Sequence, residues 1–290
     1  MFVVNGDDSM QKFVPGAALI ASAVLLASAK PTLAQDASVE EAPKPSITVS
    51  GSATLASDYR FRGVSQTDKE MAIQGGITAA HDSGFYVGAW GSNLSGWGTF
   101  GGANMELDLI GGFKTGIGKT ATLDTGLIWY MYPGGADDTD FAEFYAKISG
   151  TTGPLTLTGG LAYAPKQYAL ANISNAPNSR GQKDDNLYLF ADGAAALANT
   201  PFTLKAHIGY SDGNPGLGPN GTSVSPTGAY WDWLLGVDAA WRNLTLGVAY
   251  VDTDIGDAAA ARLQPNFSKG QDGTGSIADG AVLLTLTAAF

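Results

Sequence analysis

From residue 47 onward, apolar and polar positions alternate in segment after segment. A period of two marks a β-strand with one apolar and one polar face. The pattern is plain in 281–290, where Val282, Leu284, Leu286, Ala288 and Phe290 share a face opposite Thr285, Thr287 and Ala289. In 104–115, Met105, Leu107, Leu109 and Phe113 oppose Glu106, Asp108 and Lys114. The same reading predicts strands over 47–59, 71–80, 84–92, 120–132, 141–149, 155–163, 186–196, 202–211, 230–241 and 244–251. After residue 46 no apolar run is long enough to span a membrane as a helix.

The connections sort into two kinds. Those at 81–83, 116–119, 150–154, 197–201 and 242–243 are short; those at 60–70, 93–103, 133–140, 168–185, 212–229 and 252–280 are long. Long and short alternate throughout, as in outer-membrane barrels with short periplasmic turns and long outer loops. A soluble sandwich has no reason to sort its loops this way. The predicted fold is all-β, a transmembrane antiparallel up-and-down β-barrel of about 12 strands with both termini periplasmic. Trp129, Trp231, Trp233, Trp241, Tyr163, Tyr210, Tyr250 and Phe290 fall near predicted strand ends, where interfacial girdles sit. A closing strand that ends on Phe290 resembles those of outer-membrane barrels, which implies recognition by the barrel-assembly machinery.

Composition narrows the reading. Charged residues make up 15% of the 290, against about 25% in ordinary soluble chains. There is no cysteine, hence no disulfide, thiolate metal site or thiol nucleophile. A net charge of −11 leaves no basic face for nucleic acid. Met10, Gln11 and Lys12, an apolar run over 13–29 and Thr32-Leu33-Ala34 predict a signal peptide over 1–34. Asp7 and Asp8 sit awkwardly ahead of it, so the leader is read as starting at Met10. The apolar run is at the lower limit for a spanning helix, and Pro15 and Gly16 shorten it. Residues 35–46 are predicted to be a flexible periplasmic segment and 47–290 the barrel. An exported chain with no spanning helix must close its sheet, because lipid tolerates no open edge.

Candidate chemistry lies on the inward faces. Asp58, Arg60 and Arg62 mark the exit of the first strand; if alternation runs on, all three face the lumen near its mouth. They read either as a charged ring that selects solutes or as a network that packs the interior, and the packing reading weighs more. Glu106, Asp108, Asp124, Glu143, Asp192, Asp232 and Asp238 are the other inward acids, against Lys114, Lys147, Lys205 and His207. That acidic excess predicts a weak cation preference if the lumen is open. Asp137, Asp138 and Asp140 cluster in one loop but lack the spacing of an EF-hand, and no metal or cofactor is assigned. Catalysis ranks last: the two histidines are His81, in a short turn, and His207, and no serine sits in a G-x-S-x-G elbow.

The segment Ser57-Asp58-Tyr59-Arg60-Phe61-Arg62-Gly63-Val64-Ser65-Gln66 resembles the Gcw_chp group, also called the TorF family of porin-like outer-membrane proteins of Gram-negative bacteria. Gly84-Phe85-Tyr86-Val87-Gly88-Ala89-Trp90-Gly91-Ser92-Asn93, Tyr132-Pro133-Gly134, Glu143-Phe144-Tyr145, Tyr163-Ala164-Pro165, Asp232-Trp233 and Tyr250-Val251-Asp252-Thr253 extend the resemblance over the mature chain. The resemblance implies a barrel and a channel of undefined cargo. The function expected is an outer-membrane channel for passive diffusion of small solutes or ions, in contact with outer-membrane lipid and lipopolysaccharide. Its rival is a non-conducting structural or adhesive barrel, since at this strand number the lumen is narrow enough to be plugged; an outer-membrane hydrolase comes third.

Overall fold

A computed structural model describes residues 46–136, 138–170, 183–213 and 224–290. The predicted signal peptide, residues 35–45 and Asp137 therefore lie outside the described residues. The strands are β1 (Ile47–Ala56), β2 (Arg60–Phe61), β3 (Val64–Ser65), β4 (Ala72–His81), β5 (Phe85–Asn93), β6 (Met105–Ile117), β7 (Ala121–Met131), β8 (Phe141–Thr152), β9 (Leu155–Gln167), β10 (Asp184–Ala196), β11 (Phe202–Gly213), β12 (Ala229–Trp241), β13 (Leu244–Thr253) and β14 (Ala281–Ala289). Among the described residues, β1 and β4 to β14 close into a single antiparallel ring in sequence order, and β14 pairs back onto β1. The strand order is that of an up-and-down barrel of twelve strands. No described helix is long and apolar enough to cross a membrane.

Register follows from the alternation. Facing strands keep apolar partners on one face, as in Leu109 opposite Trp129 and Val248 opposite Leu284. These side chains point out of the barrel and stay exposed: Ile73, Val87, Phe144, Leu235 and Val282 are among them. Aromatics collect at both ends of the apolar band. Trp129, Tyr163, Trp231 and Tyr250 lie toward the long connections, and Phe85, Phe202, Trp241 and Phe290 toward the short ones. Tyr210 and Trp231 touch across neighbouring strands, with ring centroids 4.9 Å apart.

The chain departs from the expected first strand at its end. β1 stops at Ala56 rather than running on to Tyr59, so Asp58, Arg60 and Arg62 do not extend its inward face. Instead the backbone leaves the wall, and β2 and β3 pair as a two-stranded hairpin inside the ring. Arg62 and Gly63 form its two-residue turn, both at positive φ (48° and 81°). Two positive φ values suit a tight hairpin turn, a conformation glycine adopts freely and arginine does not. A Cβ on Gly63 would sit 2.3 Å from Thr253 Cγ2 and 2.9 Å from Asp232 Cβ, so the tip lies flush against the barrel wall.

The seam between first and last strands runs from Ala56 opposite Thr285 to Ser52 opposite Ala289, and Phe290 extends it. Its backbone N–H donates to the Gly51 carbonyl (2.9 Å), and the Gly51 N–H donates to the Phe290 carbonyl (2.8 Å). The Phe290 ring lies over Gly51, where a Cβ would stand 2.7 Å from Cε2. Removing Phe290 should cost these two bonds, each about 1 kcal/mol net, and Gly51→Val should displace the ring. Both changes should lower the share of chain that migrates as the compact, heat-modifiable form after outer-membrane extraction. Undiminished compact form in both variants would show that the seam does not depend on this contact.

Candidate functional site

The lumen divides at mid-depth. Toward the short turns, inward residues such as Ser52, Thr54, Tyr145, Lys147, Thr158 and Thr287 are only half-buried, while Thr78, Asp124, Lys205 and Asp238 are buried there. Toward the long loops, Glu106, Tyr130, Glu143, Tyr188, Ser211 and Asp232 are fully buried. The difference is made by the hairpin and by the connection 254–280. That connection contains a short helix, α1 (Asp257–Ala261), and brings Ile255, Leu263, Phe267 and Ile277 against Val64, Trp97 and Tyr230 in one apolar cluster. Trp97 and Phe267 meet edge to face at 4.9 Å. Within this outer half, a cavity of about 10 Å³ is lined by Phe61, Val64, Gln66, Trp97, Glu106, Tyr132, Phe141, Val224 and Pro226. That is the lower bound for one water.

Asp58 and Arg60 build the hairpin itself. Arg60 Nε donates to Asp58 Oδ2 (2.6 Å), and Ser65 Oγ (2.6 Å) and Thr67 Oγ1 (3.1 Å) donate to Asp58 Oδ1. Arg60 Nη1 also reaches the carbonyls of Gly63, Ile277 and Asp279, tying the hairpin to the connection above it. Arg60 is completely buried. Such burial of a guanidinium requires this density of acceptors, since an ion without partners costs several kcal/mol to remove from water.

Arg62 reaches the opposite wall. Its guanidinium pairs with Glu143 on β8, donates to Asn186 Oδ1 on β10, and lies over the Phe61 and Tyr188 rings at 4.7 and 4.3 Å from their centroids. β8 and β10 each stand five strands from β1 around the ring, so the side chain anchors the hairpin across the full lumen. Burial by itself would ease the proton off Arg62, but the charge and hydrogen bond of Glu143, with Tyr130 and Tyr188, together outweigh it and raise the pKa. Near the root of the hairpin, Tyr59 Oη donates to Glu106 Oε1 (2.8 Å) and its ring meets Trp90. Burial, then the Glu106 charge, pushes the Tyr59 hydroxyl well above its usual range, so it stays a donor.

The remaining inward charges form separate groups. Lys114 and Lys147 both approach Asp124 Oδ2 at 3.5 Å, with Tyr86 Oη donating to Oδ1. On the other wall, His207 meets Asp192 at 2.5 Å through Nδ1, and Tyr188 Oη (2.8 Å) and Asp232 (3.2 Å) through Nε2. Lys205 Nζ donates to Asp238 at 2.6 Å. Glu106 and Asp108 have no basic partner among the described residues, and Asp108 Oδ1 has no hydrogen-bond partner there. All twelve candidates thus lie inside the ring, but they form local pairs and clusters rather than one ring of charge.

Several working residues were not foreseen: Tyr59, Ser65, Thr67, Asn186 and Tyr188 at the hairpin, and Phe267 and Ile277 above it. One signal for the last two was available, because large apolar residues inside a long connection have no reason to face water. Of the three loop aspartates, Asp140 Oδ1 accepts from the Tyr132 N–H at 3.0 Å and Asp138 sits at positive φ. No group of three or more His, Asp or Glu converges as a metal site among the described residues. At the short turn, His81 Nδ1 meets both Ser83 Oγ (2.7 Å) and Asp82 (3.1 Å). Both partners use the same nitrogen, so no relay runs across the ring as it does in a Ser-His-Asp triad.

The Lys205–Asp238 pair gives a direct test of how much interior pairing stabilises the barrel. Lys205→Met leaves Asp238 buried and unpaired, and should destabilise by about 3–5 kcal/mol. Adding Asp238→Leu should recover most of that loss. The readout is the urea midpoint of the protein folded into lipid vesicles, followed by tryptophan fluorescence. An unchanged midpoint in the single variant would mean that water reaches Asp238.

Among solved structures, the fold is similar to a porin at 12% identity, covering 76% of this chain and 62% of that one, with a TM-score of 0.38. It is also similar to the outer membrane channel DcaP of Acinetobacter baumannii, at 10% identity over 84% and 97% of the two chains with a TM-score of 0.41. A third is the translocator domain of the autotransporter NalP from Neisseria meningitidis, at 14% identity over 86% and 90% with a TM-score of 0.39. The chain spans about three fifths of the length of that porin. At such identities the likeness concerns the barrel alone. No curated protein matches the chain. Residues 40–290, which contain the whole ring and its hairpin, match Gcw_chp, and the chain belongs to this family of bacterial proteins of unknown function.

Proposed function

We propose that the protein is a porin-like channel of the Gram-negative outer membrane for passive movement of small solutes or ions, held closed at rest on its outer side. Residues 1–34 serve as its export leader, Phe290 as its assembly signal, and lipid and lipopolysaccharide as its surroundings. The observation that carries the reading is the closed ring itself. It is apolar outside, charged and polar inside, and half-open on the side of the short turns. A closed ring is the form in which strands can lie in lipid with every backbone group paired. The porin-like reading attached to the TorF name belongs to this proposal.

A weak cation preference follows from the outer half. Arg62 is already engaged by Glu143, while Glu106 and Asp108 are acids on the wall there with no basic partner among the described residues. The half-open side instead carries Lys114 and Lys147, and ions meet both. The narrower outer half sets the selectivity, so the acids win by a small margin. The rival reading, a structural barrel that never conducts, is favoured by the hairpin, buried except at Phe61, and by the water-sized cavity.

Purified protein in a planar bilayer under a KCl gradient tests the proposal. Rare openings that reverse on the cation side are expected. The preference should fade with salt, since screening shortens from about 10 Å at 0.1 M to about 3 Å at 1 M. Glu106→Gln with Asp108→Asn should reduce it further without loss of the compact form. A large steady current at rest would contradict the closed state, and anion-selective reversal would contradict the role given to the two acids.

A further inference from the structure

The two arginines of the hairpin, two residues apart, do different work. The bonds of Arg60 are to Asp58, Gly63, Ile277 and Asp279, all in the hairpin or the connection above it. They keep the plug in shape. The bonds of Arg62 are to Glu143 and Asn186, both on strands of the far wall. They keep the plug in place. Arg62 also holds φ at 48°, a left-handed conformation that side chains rarely adopt and that persists only where surrounding contacts enforce it.

From this division we infer that Arg62 is a latch. Its guanidinium, seated between Glu143 and Asn186 and stacked on Tyr188, holds the preformed hairpin 58–67 across the lumen. Breaking that contact releases the hairpin from the far wall, together with the connection to which Arg60 ties it, and opens the outer half. The contacts that remain at the tip are the Phe61–Tyr130 ring pair, at 6.1 Å, the packing of Gly63 on Thr253 and Asp232, the apolar cluster of Val64 with Trp97, Tyr230 and Ile277, and the Ser65 N–H bond to the Ile277 carbonyl (3.1 Å). None contributes an ion pair. At the root, Tyr59 stays bonded to Glu106 and marks the end about which the hairpin turns. A guanidinium suits the seat because its planar fork serves two acceptors at once while its face stacks on a ring. The inference rests on the channel reading and names how that channel is controlled.

Bilayer conductance of the full-length protein tests it. Arg62→Ala should raise open probability by about tenfold or more, given the cost of breaking a buried ion pair. Arg62→Lys should open it less, because an ammonium keeps the charge but loses the fork. Glu143→Arg alone should open it, and combining it with Arg62→Glu should restore closure. Heat-modifiable migration of each variant shows whether the barrel has assembled. A further variant replaces 59–66 with a short Gly-Ser turn. If it conducts while Arg62→Ala stays closed, the latch is wrong and the channel reading survives. If neither conducts, the channel reading falls and the latch with it. If Arg60→Ala opens the channel as far as Arg62→Ala, closure depends on the hairpin being folded rather than on the latch, and the inference is overturned.

Discussion

Everything in this molecule depends on the requirement that no strand edge meets lipid. Unpaired N–H and C=O groups in hydrocarbon cost several kcal/mol each, so β14 must return to β1. The register of that last pairing, Ala53 opposite Ala288 and Leu55 opposite Leu286, keeps the apolar face outward all the way round. Closure then dictates the rest. The outside can be apolar because lipid surrounds it. The inside cannot be left empty at this circumference without admitting solutes freely, and here its outer half is filled by the protein's own chain.

The interior filling obeys the electrostatics of a poorly hydrated space. A charge there needs a partner or a dense set of hydrogen bonds. Lys205 and Asp238 form a close pair, and His207 sits between two carboxylates. The hairpin carries its cations inward at the two positions where acids and carbonyls await them. Glu106 and Asp108 are the exception on β6, at successive inward positions with no basic partner among the described residues.

The long connections show a second principle. A loop that only linked strands would be polar, yet 254–280 contributes Leu263, Phe267 and Ile277 to a cluster with Trp97 and Val64. Burying these side chains against the hairpin offsets part of the entropy of ordering so long a connection. The cap and the hairpin are consequently one structure, joined through Arg60, and Arg62 supplies its ion pair to the far wall.

The strands were legible in the sequence because alternation has a period of two and lipid enforces it strictly. Met105, Leu107 and Leu109 face out, and Glu106 and Asp108 face in, as the pattern of 104–115 states. The sorting of connections by length was legible too, because neighbouring antiparallel strands put the short turns at one end of the ring and the long connections at the other. What alternation does not encode is where the chain abandons the wall. Asp58, Arg60 and Arg62 keep the period of a strand in the sequence, yet their backbone turns inward after Ala56. That turn is stabilised by partners remote in the chain, Glu143, Asn186, Ile277 and Asp279. Only closure of the ring brings those partners within reach, so the tertiary structure alone decided that a charged strand exit would become a plug.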